Sequence, residues 1–231
     1  RDKSPALLTI TPNLDPANFG TVSLNYHKDI AFTLSNASNA ATATALSLSL
    51  NSTVYTLTSS NCGVSLGQGA SCQFTIRFSP GTVGTFTSEI QANYHNGVTA
   101  QSTIRRLTGV GTDAALLFFI SSDYNLGSAF PNKSTTTNLG LYYYGGRAAN
   151  IVSITGVDVP FAFPGGTFPG GGNCGASSIT GSCNFKISFT PTQAGSYSKL
   201  VTLTYDDGYG NRSAISTTVR GTGVSRALLT F

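Results

Sequence analysis

The sequence predicts an all-β chain folded as two tandem β-sandwiches, and three observations carry that expectation. The first is repetition. Asn61-Cys62-Gly63, Gly69-Ala70-Ser71-Cys72 and then Phe74, Ile76, Phe78 and Pro80 return as Asn173-Cys174-Gly175, Gly181-Ser182-Cys183 and then Phe185, Ile187, Phe189 and Pro191. Cys183 follows Cys72 by 111 residues and Pro191 follows Pro80 by the same 111, so one module is written twice. The second is periodicity: apolar residues alternate at a spacing of two, the mark of strands with one buried face, and strong helical spacing appears nowhere. The third is composition. Charged residues are 10% of the 231, against about a quarter in ordinary soluble proteins, and Met and Trp are absent.

The first module, residues 1–112, opens on Ala6-Leu7-Leu8-Thr9-Ile10. Ile30, Phe32 and Leu34 then form one strand face, matched 109 residues later by Leu139, Leu141 and Tyr143. Leu46, Leu48 and Leu50 follow, with Ile151 and Ile154 in the same part of the second module, residues 113–226. Phe74, Ile76 and Phe78 recur as Phe185, Ile187 and Phe189; Phe86, Ile90, Ala92 and Tyr94 recur as Tyr197, Val201, Leu203 and Tyr205. About seven short strands per module, divided by Gly, Pro, Asn and Ser turns, fit an immunoglobulin-like sandwich of two antiparallel sheets. Each module closes on Gly-x-Gly, at Gly109-Val110-Gly111 and Gly221-Thr222-Gly223, and the short junction that follows points to a semi-rigid rod. Residues 227–231, Ala-Leu-Leu-Thr-Phe, echo both module openings and read as the start of a third, truncated module whose Leu228, Leu229 and Phe231 lack partner strands.

The combined pattern of a Cys, a Gly-x-Ser-Cys, an alternating run ending Phe-Ser/Thr-Pro, a Gly-Thr/Ser-Phe/Tyr and a closing Leu/Val-x-Gly-x-Gly resembles the choice-of-anchor D domains of bacterial surface proteins. Those are similar to the Hydin-type (ASH, major sperm protein-like) immunoglobulin-like modules. The resemblance covers about residues 14–112 and 122–224. It implies a tandem of such domains and says little of function, because these modules serve as spacers and as binding units.

Several function classes are disfavoured by the residues themselves. The net charge of +4 is shared evenly, +2 in each half, and no basic run exceeds Arg105-Arg106, so no nucleic-acid partner is expected. The longest apolar run, Ala114 to Ile120, is too short to cross a membrane and reads as a buried strand. No catalytic residues, metal ligands or cofactors are assigned. The chain has one glutamate, Glu89, and two histidines, His27 and His95, each beside a Tyr in a polar, turn-like context, which argues against an enzyme. Asp206-Asp207-Gly208-Tyr209-Gly210-Asn211 lacks the ligand spacing of a calcium loop and reads as a hairpin turn. Lys beside Asn or Asp at a repeated position, as an isopeptide crosslink needs, is missing, and the Asn-x-Ser/Thr matches at Asn36, Asn51, Asn132 and Asn211 are what this composition yields by chance.

Four cysteines in two local pairs fit disulfides Cys62–Cys72 and Cys174–Cys183 better than zinc, which favours CxxC spacing or clustered His. Disulfides suit an extracellular or cell-surface location, with the periplasm as the alternative compartment. The main departure from the repeat is the loop from Gly156 to Asn173. Its Phe161, Phe163 and Phe168 lie in so Gly- and Pro-rich a segment that an exposed patch, extended by Tyr142 and Tyr144, is one reading, and plugs of the core are the other. The leading expectation is a non-catalytic structural stalk or spacer array of a secreted or cell-surface protein, its partners being the neighbouring modules. The alternative is an adhesin-type module that recognises a cell-surface glycan or protein through the aromatic loop.

Overall fold

The structure, a computed structural model, describes residues 3–225. The expected opening strand at 227–231 lies outside the described residues, which contain strands and turns and no helix. The chain divides into two compact units between Asp113 and Ala114, one residue beyond the boundary expected from the repeat.

Module 1 contains β1 (Leu8–Thr11), β2 (Ala17–Ser23), β3 (Lys28–Asn36), β4 (Thr44–Leu50), β5 (Tyr55–Ser60), β6 (Ser71–Phe78), β7 (Gly84–His95) and β8 (Ala100–Thr112). They form two sheets, ordered β1-β3-β6-β5 and β2-β8-β7-β4. All pairs are antiparallel except β2 with β8, which run parallel. One core lies between the sheets, with Phe32, Phe74, Ile76 and Phe78 from the first facing Ile90, Ala92 and Leu107 from the second. The alternation that predicted the strands is therefore the alternation of core and solvent faces.

Module 2 repeats this plan with β9 (Leu116–Phe119), β10 (Asp123–Ala129), β11 (Thr135–Tyr144), β12 (Ala149–Thr155), β13 (Phe161–Ala162), β14 (Ser178–Ile179), β15 (Cys183–Phe189), β16 (Gly195–Asp206) and β17 (Arg212–Gly223). Its sheets are β13-β15-β11-β9 and β10-β17-β16-β12-β14. β10 runs parallel to β17, as β2 does to β8. Both parallel strands carry a bulge at an Asn-x-Gly step, where Asn18 Oδ1 accepts from Gly20 N at 2.8 Å and Asn125 Oδ1 accepts from Gly127 N at 2.9 Å. Even the short β14 has a forerunner, because its Ala149–Ile179 pairing corresponds to the isolated bridge between Ala43 and Leu66.

Two sequence expectations shift. Eight and nine strands are present among the described residues where about seven per module were expected, the surplus being short pieces that pattern-reading passes over. The match between β3 and β11 is also displaced. Phe32 pairs with Phe74 and Leu139 with Phe185, so Leu139 corresponds to Phe32, at 107 residues, rather than to Ile30, at 109. A slip of two leaves every side chain on its expected face, so a period of two cannot report it.

The motif that closes each module has a packing cause. A Cβ on Gly109 would stand 2.6 Å from the Phe78 ring, and one on Gly221 would stand 2.5 Å from the Phe189 ring. Gly111 and Gly223 lie in the same way against Pro80 and Pro191 and against the Thr82 and Gln193 carbonyls. Gly-x-Gly on the last strand is thus the negative imprint of Phe-Ser/Thr-Pro at the end of β6 and β15. A tyrosine ties the opening strand across each core: the Leu8 N–H donates to the Tyr94 hydroxyl at 3.3 Å, and the Leu117 N–H to the Tyr205 hydroxyl at 3.1 Å.

Candidate functional site

The cysteines form the same corner in both modules. Cys62 is bonded to Cys72 and Cys174 to Cys183, each with Cα atoms 5.0 Å apart. The Asn before the first cysteine of each pair braces that corner, since Asn61 Oδ1 accepts from Gln73 N at 2.6 Å and Asn173 Oδ1 from Asn184 N at 2.7 Å. Each Asn satisfies the strand residue just after the second cysteine, so Asn-Cys and Ser-Cys form one cross-linked corner.

The aromatic loop does not form the exposed patch that was one of the two expectations. Phe161 is fully buried in β13, pairs with Phe189 in register and packs on it with ring centroids 5.2 Å apart and the planes tilted by 31°. It stands where module 1 has the buried Tyr55, which pairs with Phe78. Phe163 and Phe168 are half-buried and pack on the buried Phe185, with centroids at 6.2 and 5.3 Å, and on each other at 5.8 Å. The glycines bring this about. At Gly172 a Cβ would meet the Phe185 backbone, so only glycine lets the loop lie this close to β15, where the Lys186 N–H donates to the Pro169 carbonyl at 2.9 Å. Flexible-looking composition here serves close approach. The matching signal was available in the sequence: Pro160-Phe161-Ala162 follows Val54-Tyr55-Thr56 by 106 residues, the same offset that separates Ala149 from Ala43, and each holds an aromatic between that strand and the cysteine corner.

Tyr142 and Tyr144 do point away from the core. Tyr142 is 46% exposed, Tyr144 is half-buried, and their rings lie 6.4 Å apart. Phe118, which sequence reasoning passed over as part of a buried run, faces Tyr142 across the β9–β11 pair and meets Tyr144 edge-on at 6.2 Å. These three rings make a short aromatic row on the outer face of that sheet, separate in the fold from the loop.

The titratable groups show no convergence. His27 is exposed in the β2–β3 turn; His95 ends β7, where its Nδ1 accepts from Gly97 N at 3.2 Å. The acidic loop is the β16–β17 hairpin. Asp206 Oδ1 accepts from the Gly208 and Gly210 N–H groups, and Asp207 Oδ1 from those of Tyr209 and Asn211, so the carboxylates organise the turn itself. Burial alone would raise the Asp207 pKa, but these bonds outweigh it and hold it below the ordinary aspartate value. Arg147 stacks its guanidinium 4.1 Å from the Tyr209 ring centroid beside this turn. Among the described residues no group of three or more His, Cys, Asp or Glu is gathered as for a metal ion. Asn36 is buried and its amide donates to the Ala41, Leu66 and Gly67 carbonyls, so this Asn-x-Ser match is a structural residue.

No helix of the described residues is long and apolar enough to cross a membrane. Residues 9–109, nearly all of module 1, match the family model described as HYDIN/CFA65/VesB-like, Ig-like domain. No curated protein matches the chain. Among solved structures, the ASH/PapD-like domain of human CEP192 is similar at 11% identity, covering 47% of this chain and 86% of that one, with a TM-score of 0.35. The VesB protease of Vibrio cholerae is similar at 18% identity with a TM-score of 0.39; the match covers 45% of this chain and only 31% of the protease. The fibronectin(III)-like modules of Clostridium thermocellum CbhA are similar at 10% identity, covering 97% of this chain and 100% of theirs, with a TM-score of 0.27.

Proposed function

We propose that this chain, whose first module resembles HYDIN-type immunoglobulin-like domains, is a non-catalytic structural spacer: two choice-of-anchor D-type modules in tandem, part of a stalk or array in a secreted or surface protein of a bacterium. The observation that carries the reading is the burial of the aromatic loop. The main departure of module 2 from the repeat reinforces its core, as Phe161, Phe163 and Phe168 pack on Phe185 and Phe189. Disulfide corners in both modules and a low-charge exterior support an oxidising location outside the cytoplasm. Neither enzymatic activity, a cofactor, a nucleic-acid partner nor membrane insertion belongs to this reading.

A spacer must resist being pulled apart, and each disulfide removes its enclosed loop from the length that force can release. Single-molecule pulling on the chain should give two separate unfolding events. Reduction should lengthen each by about ten residues, roughly 35 Å at about 3.6 Å per residue. Unfolding of both modules at negligible force would overturn the mechanical role.

One observation favours a second reading, an adhesin-type module for a surface glycan or protein: the outward row of Phe118, Tyr142 and Tyr144. Tyr142→Ala removes its most exposed ring. Loss of binding of the intact chain to its host cells in that variant would favour this reading, and unchanged binding would remove it.

A further inference from the structure

We propose that the outer face of the β2-β8-β7-β4 sheet in module 1 is a binding groove for a neutral, hydroxyl-rich glycan. The inference is independent of the spacer reading and uses none of the aromatic residues. The face is hollowed into a groove of about 660 Å³. Ile90 and Leu107 point into the core, so their strand neighbours Glu89, Gln91, Arg106 and Thr108 point outward along β7 and β8. Ser49 near the end of β4 stands in register with Gln91 of β7, and Glu89 of β7 with Arg106 of β8, which sets two polar pairs side by side on this face, with the exposed Ile104 of β8 next to Gln91.

The charged pair marks the site. Glu89 is the only glutamate of the chain. It lies directly opposite Arg106, yet among the described residues neither the carboxylate nor the guanidinium is held by a hydrogen bond or an ion pair. Two other arginines on module 1's strands behave differently: Arg77 binds Asp29 through two hydrogen bonds, and Arg105 binds the Ile10 carbonyl at 2.7 Å. Module 2 supplies an internal comparison. At the positions of Glu89, Gln91 and Arg106 it has Leu200, Thr202 and Thr218, with Leu200 60% exposed and the Thr202 hydroxyl bonded to Ser216 at 2.8 Å. Leu200 is thus apolar and the Thr202 hydroxyl already engaged where Glu89 and Gln91 are open, although module 2 has a polar groove of its own on this face, about 520 Å³, beside Ser198 and Arg220.

The lining selects the ligand. One carboxylate and one guanidinium cancel, so a nucleic acid or a polyanionic glycan finds no surplus of positive charge. Ser, Thr, Asn and Gln groups that both donate and accept suit sugar hydroxyls, and the two unengaged charges supply the stronger, charge-assisted hydrogen bonds. Pro16 at the rim offers the apolar surface on which the C–H face of a pyranose rests.

The test is an NMR titration of the isotope-labelled full chain. Cello-, malto-, xylo- and mannohexaose and a β-1,3-linked glucohexaose are each added to about 5 mM, a level that reveals millimolar affinity, with a heparin hexasaccharide as the anionic comparison. At least one neutral hexasaccharide should shift the signals of Asn51, Glu89, Gln91, Arg106 and Thr108. Glu89→Gln and Arg106→Gln should each weaken that binding about tenfold. Both side chains are exposed, so the rest of the spectrum should be unchanged, which separates lost binding from lost folding. No groove shift with any neutral sugar, shifts with heparin alone, shifts elsewhere, or affinity indifferent to both substitutions would each overturn the proposal.

Discussion

Gly109 and Gly221 show how much a single residue decides here. Each lies under a phenylalanine ring that fills the space a side chain would need, and that ring is pinned in the centre of the core. Gly109→Ala and Gly221→Ala should each destabilise their own module by about 1–3 kcal/mol through overpacking, measured by urea unfolding. The ion pair on β3 and β6 is a weaker and more conditional element. Hydrogen bonds from Arg77 hold the Asp29 carboxyl below its ordinary value. A carboxyl lowered in the folded state stabilises fully above its unfolded pKa, about 3.9, and loses that contribution as pH falls through the lower folded value. Asp29→Asn should therefore lose stability less steeply below about pH 4 than the parent chain. High salt should shrink the difference, since both side chains are partly solvated.

At the scale of elements, the cysteine corner and the loop before it act on β6 and β15, the strands at the centre of each core. A bridge over ten residues restricts the unfolded chain by about 2.7 kcal/mol in the loop-entropy description. The double variant Cys62→Ala/Cys72→Ala should lower the stability of module 1 by about 2–3 kcal/mol and leave module 2 unchanged, read by calorimetry of the whole chain. In module 2 the loop has taken on more of the packing. Phe161→Ala empties a fully enclosed site, and a loss of about 3–5 kcal/mol is expected. A loss below about 1 kcal/mol would mean that the loop is not part of the core after all.

Across the whole molecule, the two cores contain no residue in common, and each module has its own disulfide, its own parallel strand pair and its own tyrosine tie. Residues 1–113 and 114–231, produced separately, should each unfold cooperatively with the midpoint they show in the full chain. Failure of either to fold alone would show that stability is shared across the junction and that the repeat is not a unit of folding.

Repetition, parity and composition were enough to establish two all-β modules, their boundary to within one residue, the core faces of the long strands and the cysteine corners. These are local or periodic properties, because a strand that buries one face must alternate and a duplicated module must repeat its core. The tertiary structure decided what depends on distant backbone. It placed Phe161, Phe163 and Phe168 against Phe185 and Phe189, because glycine composition reads alike for a mobile loop and for one pressed against a strand. It corrected the β3–β11 match by two residues, since a shift of one full period leaves the pattern intact. Only the cross-strand register set Glu89 opposite Arg106, because a slip of two residues along the β7–β8 hairpin would keep every side chain on its face and leave the alternating pattern unchanged.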